Sequence, residues 1–307
     1  MNALLNKIEK IGIVPVVVLE DANDALPLAQ ALIDGGIPCA EVTYRTEAAE
    51  ESIRRITETY PDMIVGAGTV LTTQQVDTAV AAGAKFIVSP GLNPKVVKYC
   101  TEKQIPIIPG TSSPSDIEQA LEFGLHVVKF FPAEASGGIK KIKAMAAPYT
   151  TVKFMPTGGI NEGNINDYLS FSKVLACGGS WMVKNDLIQS GQFDKISQLT
   201  KETVLTMLKF ELSHIEIYSE NEKEAQAAME NFSVFAGNSV KTSYENYKDV
   251  KGVITFKTNN VERAIDYLKR KGIEFEDNDV LYDETHKIID SYLKKDVCGF
   301  AVRLVQK

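Results

Sequence analysis

The chain has 307 residues, 44% of them hydrophobic, which is enough to bury a large core and to build more than one domain. Its formal net charge of -7 is offset by no basic block, so neither composition nor charge fits a nucleic-acid binder. Four cysteines (Cys39, Cys100, Cys177 and Cys298) lie far apart with no pairing or metal-ligand spacing, the usage of free thiols in a reducing cytoplasm.

Lys7 and Lys10 precede the apolar run Ile11 to Leu19, an outline shared with secretory leaders. Pro15 splits that run, Glu20 and Asp21 follow at once, and no clear small-residue cleavage site is present, so the run is read as a first strand. No stretch is long enough to span a membrane. From there one unit keeps repeating. Apolar, β-branched runs occur at 12–19, 39–45, 63–70, 86–91, 105–111, 126–133, 153–159 and 173–181, with helical-period segments such as 22–33, 47–60, 74–82, 94–102 and 115–123 between them. Strand starts recur roughly every 20 to 27 residues, the rhythm of βα units around a parallel sheet. Eight such units over about 200 residues predict an α/β fold, a (β/α)8 TIM barrel, with a doubly wound open sheet as the competitor. Thr72, Asn93 and Ser113 stand where helix N-caps belong, the last followed by Pro114.

In a barrel the chemistry gathers at the carboxyl ends of the strands. The second run reads Cys39-Ala40-Glu41-Val42-Thr43-Tyr44-Arg45. Its alternation puts Glu41, Thr43 and Arg45 on one face, and the helix-facing side must be apolar, so the polar set points inward. A carboxylate and a guanidinium inside a barrel need a partner or a purpose. They form either a structural Glu41–Arg45 ion pair or a general base below an arginine whose fork suits a substrate carboxylate. The sixth run, His126 to Glu134, carries Lys129 on the face it shares with Val127 and Phe131. Burial disfavours a charged amine, and the free amine is the form that attacks a carbonyl to make a Schiff base; a strand-end lysine reaching out to water is the alternative.

The third run ends Gly66-Ala67-Gly68-Thr69, and the fourth and fifth end Ser89-Pro90-Gly91 and Pro109-Gly110-Thr111-Ser112, turn chemistry first and pocket rim second. After the seventh and eighth runs come Thr157-Gly158-Gly159 and Gly178-Gly179-Ser180. Loops at these two positions commonly hold phosphate through backbone N–H groups, so an anionic, phosphorylated ligand is expected, against two tight turns. Of the three histidines, His126 is expected to be packed at a strand start and His286 to be solvated.

Taken together, Glu-Val-Thr-Tyr-Arg-Thr, Val-Gly-Ala-Gly-Thr-Val, Ser-Pro-Gly, Val-Lys-Phe-Phe-Pro-Ala-Glu, Pro-Thr-Gly-Gly-Ile and Gly-Gly-Ser-Trp occur in this order. The chain from about Ile11 to about Phe210 thereby resembles the KHG/KDPG aldolases, the 2-keto-3-deoxy-6-phosphogluconate aldolase family. The resemblance implies a homotrimeric, cytoplasmic class I aldolase, a carbon–carbon lyase with no metal and no cofactor, releasing pyruvate and glyceraldehyde 3-phosphate. It implies Lys129 as the Schiff-base lysine and Glu41 as the acid/base. Arg45 and Thr69 would hold the pyruvate carboxylate end, Gly158, Gly159, Gly179 and Ser180 the phosphate, and Phe131 would wall the pocket; Pro90 and Thr157 complete the substrate-binding set. A phosphosugar-binding or isomerase barrel remains the alternative, as do phosphogalactonate-type and unphosphorylated hydroxy-oxoglutarate substrates.

Past Phe210 the sequence turns rich in Lys, Glu, Asp and Asn. Residues 194–209 should be the barrel's last helix and Glu211 to Ser213 a short link, giving an aldolase barrel over 1–211 and a second, α+β domain over 213–307. In that domain the strand–helix pattern 214–219 and 222–232 returns, 39 residues on, at 253–258 and 261–271, and a third strand at 300–305 closes the chain. Ile215, Ile217, Ala225, Met229, Ile254, Phe256, Ala264 and Leu268 should be the buried apolar positions. The pattern is similar to glyoxalase-type (vicinal oxygen chelate) modules. Those hold a metal through His and Glu, whereas His214 has no matching ligand in 300–305, so no metal site is expected.

Overall fold

The computed structural model describes residues 3–236, 239–244 and 249–307, and the chain divides into two compact units, Met1–Met207 and Leu208–Lys307. The first unit opens on helix α1 (Ala3–Ile11), which precedes the first strand and was not anticipated. Its signal is a helical one, with Leu4, Leu5, Ile8 and Ile11 on one stripe and Ile8 and Ile11 buried. Glu9 on this helix holds Lys153 Nζ at 2.6 Å.

The parallel strands β1 (Ile13–Val17), β2 (Cys39–Thr43), β3 (Ile64–Gly68), β4 (Phe86–Val88) and β5 (Ile107–Ile108) pair in sequence order, with β9 (Cys177–Gly179) on the other side of β1. A second run joins β6 (Gly110–Thr111), β7 (Val127–Phe130) and β8 (Lys153–Pro156). β5 and β6 are one barrel strand interrupted at Pro109: its first piece pairs with β4 and its second with β7. The ring closes through the parallel bridges Phe154↔Val174 and Thr157↔Gly178. The eight-stranded (β/α)8 barrel expected from the strand rhythm is therefore the fold, and the open sheet is not.

Local chemistry explains the outer helices. Thr72 caps α4 (Thr73–Ala81) in a reciprocal box with Gln75, and Ser113 caps α6 (Pro114–Glu122) in one with Asp116. Asn93 accepts from Lys95 N–H at the start of α5 (Pro94–Glu102), whose first residue is proline. Inside the ring the side chains must share little room. Register places Gly66 beside Glu41 and Gly68 beside Thr43. A methyl on Gly66 would lie 2.3 Å from the Phe86 ring, and one on Gly68 2.3 Å from Glu41 Oε1. These glycines are vacant volume that larger neighbours fill.

The second unit is a six-stranded sheet in the order β11 (Val240–Ser243), β10 (Glu211–Tyr218), β12 (Gly252–Thr258), β15 (Phe300–Gln306), β14 (Ile288–Leu293), β13 (Phe275–Tyr282), with helices α11 (Glu222–Ala236) and α12 (Val261–Arg270). Three corrections to the sequence reading follow. Glu211 to Ser213 are not a link but the start of β10, and the preceding helix α10 (Phe193–Leu208) runs into the boundary directly. The sheet has β11, β13 and β14 besides the three expected strands. In β12 Val253 and Thr255, each 2% exposed, and Thr258, 0% exposed, are buried, while Ile254 and Phe256 are half-buried. Ala225 and Ala264 are buried as expected, whereas Ile215, Ile217, Met229 and Leu268 are half-buried. The internal repeat is visible in the register: Ile215 of β10 pairs antiparallel with Ile254 of β12, its counterpart in the second copy.

Candidate active site

Lys129 and Glu41 sit on β7 and β2, on opposite sides of the ring, so side chains pointing inward from them converge. Lys129 Nζ lies 3.3 Å from Glu41 Oε1, with Lys129 5% and Glu41 0% exposed. The ion pair inside the barrel is thus Lys129–Glu41 and not Glu41–Arg45. A buried pair of this kind is expensive unless its remaining lone pairs are used, yet Glu41 Oε2 is buried with no partner. It points to a group supplied from outside. Two residues before it on the same strand, Cys39 is held far above its ordinary range by burial first and the Glu41 charge second, so its thiol is inert. Thr43 is fully buried and donates to Val17 O at 2.9 Å.

A cavity of about 600 Å³ opens at the carboxyl ends of the strands. The Phe131 ring, whose centroid is 5.3 Å from Lys129 Nζ, forms part of its wall. Arg45, exposed just beyond β2, lines it too. The two glycine loops meet here: Thr157, Gly158 and Gly159 from one, Gly179 and Ser180 from the other. Gly158 and Gly159 have φ of 100° and 81°, a region a glycine enters without steric cost. Thr157 is 6% exposed and its Oγ1 has no partner; Gly178 leaves it room, since a methyl there would lie 2.3 Å from that oxygen.

Of the residues singled out in the sequence, seven line this cavity; Lys129 and Glu41 do not, and the link to it is the Phe131 ring beside the Lys129 amine. Thr69 and Pro90 do not line it; both are half-buried at the ends of β3 and β4, Thr69 with φ of 56°. His126 is exposed rather than packed, with Nδ1 3.2 Å from Thr151 Oγ1, because the barrel interior at β7 begins only with Val127. His286 is exposed, as expected. Sequence reasoning missed Asn161, Trp181, Lys184 and Asp186 in the lining; the adjoining glycine motifs were the available signal. It also missed that Gly68 is the space into which Glu41 folds. Among the described residues no group of three His, Cys, Asp or Glu side chains is placed to hold a metal, and no helix is long and apolar enough to cross a membrane.

A parallel barrel holding a buried lysine–carboxylate pair in its interior has the make-up of a barrel enzyme of the Schiff-base type. The chain belongs to the KDPG and KHG aldolase family, whose sequence model matches residues 4–199. It is 51% identical over 204 residues to the 2-dehydro-3-deoxy-phosphogluconate aldolase of Treponema pallidum, covering 66% of this chain and 97% of that one. It is 47% identical over 192 residues to the KHG/KDPG aldolase of Escherichia coli, covering 62% and 90%. The crystal structure of the Legionella pneumophila KDPG aldolase, with pyruvate captured as a covalent carbinolamine, superposes with a TM-score of 0.63 at 40% identity over 65% of this chain and 97% of that one.

Proposed function

We propose that this chain is a class I aldolase cleaving 2-keto-3-deoxy-6-phosphogluconate to pyruvate and glyceraldehyde 3-phosphate. The observation that carries the reading is the buried Lys129–Glu41 pair at 3.3 Å with Glu41 Oε2 left unpartnered. The Lys129 amine adds to the C2 ketone, and loss of water from the carbinolamine leaves an iminium. Glu41 takes the proton of the C4 hydroxyl as the C3–C4 bond breaks, and that bond's electron pair moves into the iminium to form the enamine. The aldehyde departs with the phosphate. Glu41 returns its proton to C3, and water releases pyruvate from the imine, restoring the amine. Arg45 and Thr69 hold the carboxylate end, with Pro90 on the rim beside Thr69. Phe131 and Thr157 wall the centre, and Gly158, Gly159, Gly179 and Ser180 take the phosphate. The residues at the pyruvate end do not depend on the phosphate, which favours 4-hydroxy-2-oxoglutarate, giving pyruvate and glyoxylate, as a second and poorer substrate. A cytoplasmic homotrimer without cofactor belongs to the same proposal and rests on the family resemblance.

Borohydride reduction in the presence of pyruvate, followed by intact mass and peptide mapping, tests it. One pyruvyl adduct on Lys129 is the expected result, and Lys129→Ala should lose adduct and about 1000-fold or more in turnover. An adduct on a different lysine, or none, would reject the mechanism.

A further inference from the structure

The turn that leaves the lysine strand is fastened to the first glycine loop. Ala133 N–H donates to Thr157 O at 2.8 Å and Glu134 N–H to Gly158 O at 3.0 Å. The Glu134 side chain then lies against Gly159, where a methyl would stand 2.6 Å from its Cβ and Cγ. Its Oε1 accepts a hydrogen bond from Tyr168 Oη. Tyr168 belongs to α8 (Ile165–Leu169), the short helix that follows the loop, and is 1% exposed. Glu134 thus lies against the loop while the helix that follows the loop holds its carboxylate. A carboxylate so near an anion-binding loop works against the anion by charge, so its presence calls for a compensating use. The Tyr168 phenol is pushed up by burial and then by the Glu134 hydrogen bond, and it remains a donor throughout the working pH range.

We propose that Glu134 and Tyr168 are positioning residues that set the Gly158–Gly159 loop at the height where its backbone meets the substrate phosphate. Neither touches the reacting carbons. The inference deepens the aldolase reading and rests on the same cavity. It predicts a split: KM for the phosphorylated substrate responds, while kcat and the pyruvate half do not.

The test compares Tyr168→Phe, Glu134→Gln, Glu134→Ala and the Tyr168→Phe/Glu134→Ala double variant in the full chain. Expected are a rise of about tenfold in KM for the phosphorylated substrate with Glu134→Ala, a smaller rise with Glu134→Gln, which keeps an acceptor, and no change in KM for hydroxy-oxoglutarate. Borohydride trapping of pyruvate on Lys129 should stay at the parent level. The double variant should be no worse than Glu134→Ala, because the two residues form one link. Equal KM rises for both substrates, or unchanged KM with both, would overturn the proposal. Additive losses in the double variant would overturn the pairing. Calorimetry with glycerol 3-phosphate provides a readout independent of turnover: weaker binding in Glu134→Ala and Tyr168→Phe supports the proposal, and parent-level binding in both rejects it. Failure of the parent protein to trap pyruvate would instead sink the aldolase reading, leaving the glycerol 3-phosphate result to decide on the loop.

Discussion

Gly68 has no side chain, and Glu41 Oε1 stands 2.3 Å from where one would begin. Its smallness is therefore a condition for the Glu41 carboxylate to reach Lys129 Nζ. Gly68→Ala should displace that carboxylate and lower kcat by about 10- to 100-fold, since small misplacements of a reacting group are costly, with the pyruvate adduct on Lys129 still forming. Steady-state kinetics beside borohydride trapping would show it; an unchanged kcat would mean that the carboxylate has slack. Glu41→Gln keeps the volume and removes the base, so imine formation should persist with poor turnover. Glu41, Thr43 and Arg45 were legible as a set because a strand alternates strictly. What alternation could not tell was which cation Glu41 pairs with. Arg45 lies two residues past the end of β2 in the turn and is exposed, while Lys129 reaches Glu41 from across the ring.

At the scale of elements, the two glycine loops act as one site only because β8 and β9 are neighbours. The bridge Thr157↔Gly178 that closes the barrel also brings Gly158 and Gly179 to one cavity. Gly158→Val would put a β-branched residue at φ of 100°, a conformation such a side chain resists. KM for the phosphorylated substrate should rise at least tenfold, and far less for unphosphorylated hydroxy-oxoglutarate; equal effects would mean that the loop only shapes the barrel. Helix starts were readable locally, because a cap and its box lie within four residues. The signal for helix α1 is its Leu4, Leu5, Ile8, Ile11 stripe, which interleaved lysines and the proline-split run after it obscure. In the second unit β13 was not legible, because Phe-Glu-Asp-Asn-Asp-Val-Leu-Tyr has no period-two pattern, and only its pairing with β14 makes it a strand.

For the molecule as a whole, every residue given a role lies in the first unit, before the boundary at Met207. A chain ending at Phe210 should keep kcat/KM within a few-fold of the full chain. Loss of activity in a truncated protein that still gives a cooperative melt would make the second unit part of the reaction. That unit should have its own acid sensitivity. His214 on β10 is held below the ordinary imidazole range by burial first and by Lys241 second, with Glu216 opposing them and Arg303 and Lys257 adding. A histidine whose folded value is depressed binds fewer protons folded than unfolded. Stability therefore falls as pH drops below about 6.5, the ordinary value, until the lowered folded value is passed. Replacing His214 with Gln should flatten that part of the melting-temperature profile of the second unit, while the barrel transition stays put.

The sequence by itself determined the parallel βα rhythm, the inward-facing Glu41 and Lys129, both glycine pairs and the change of composition near residue 210. Each of these is carried by residues within a few positions of one another, where strand alternation, capping and turn chemistry act. Tertiary structure alone decided what depends on ring closure. It joined β4 to β7 through a strand broken at Pro109, brought Lys129 to Glu41 across the interior, and set Glu134 and Tyr168 around Gly159. It also decided which residues of β12 are buried, because both faces of that strand carry apolar or small side chains and residues of both, Val253 and Thr255 on one and Thr258 on the other, end up covered.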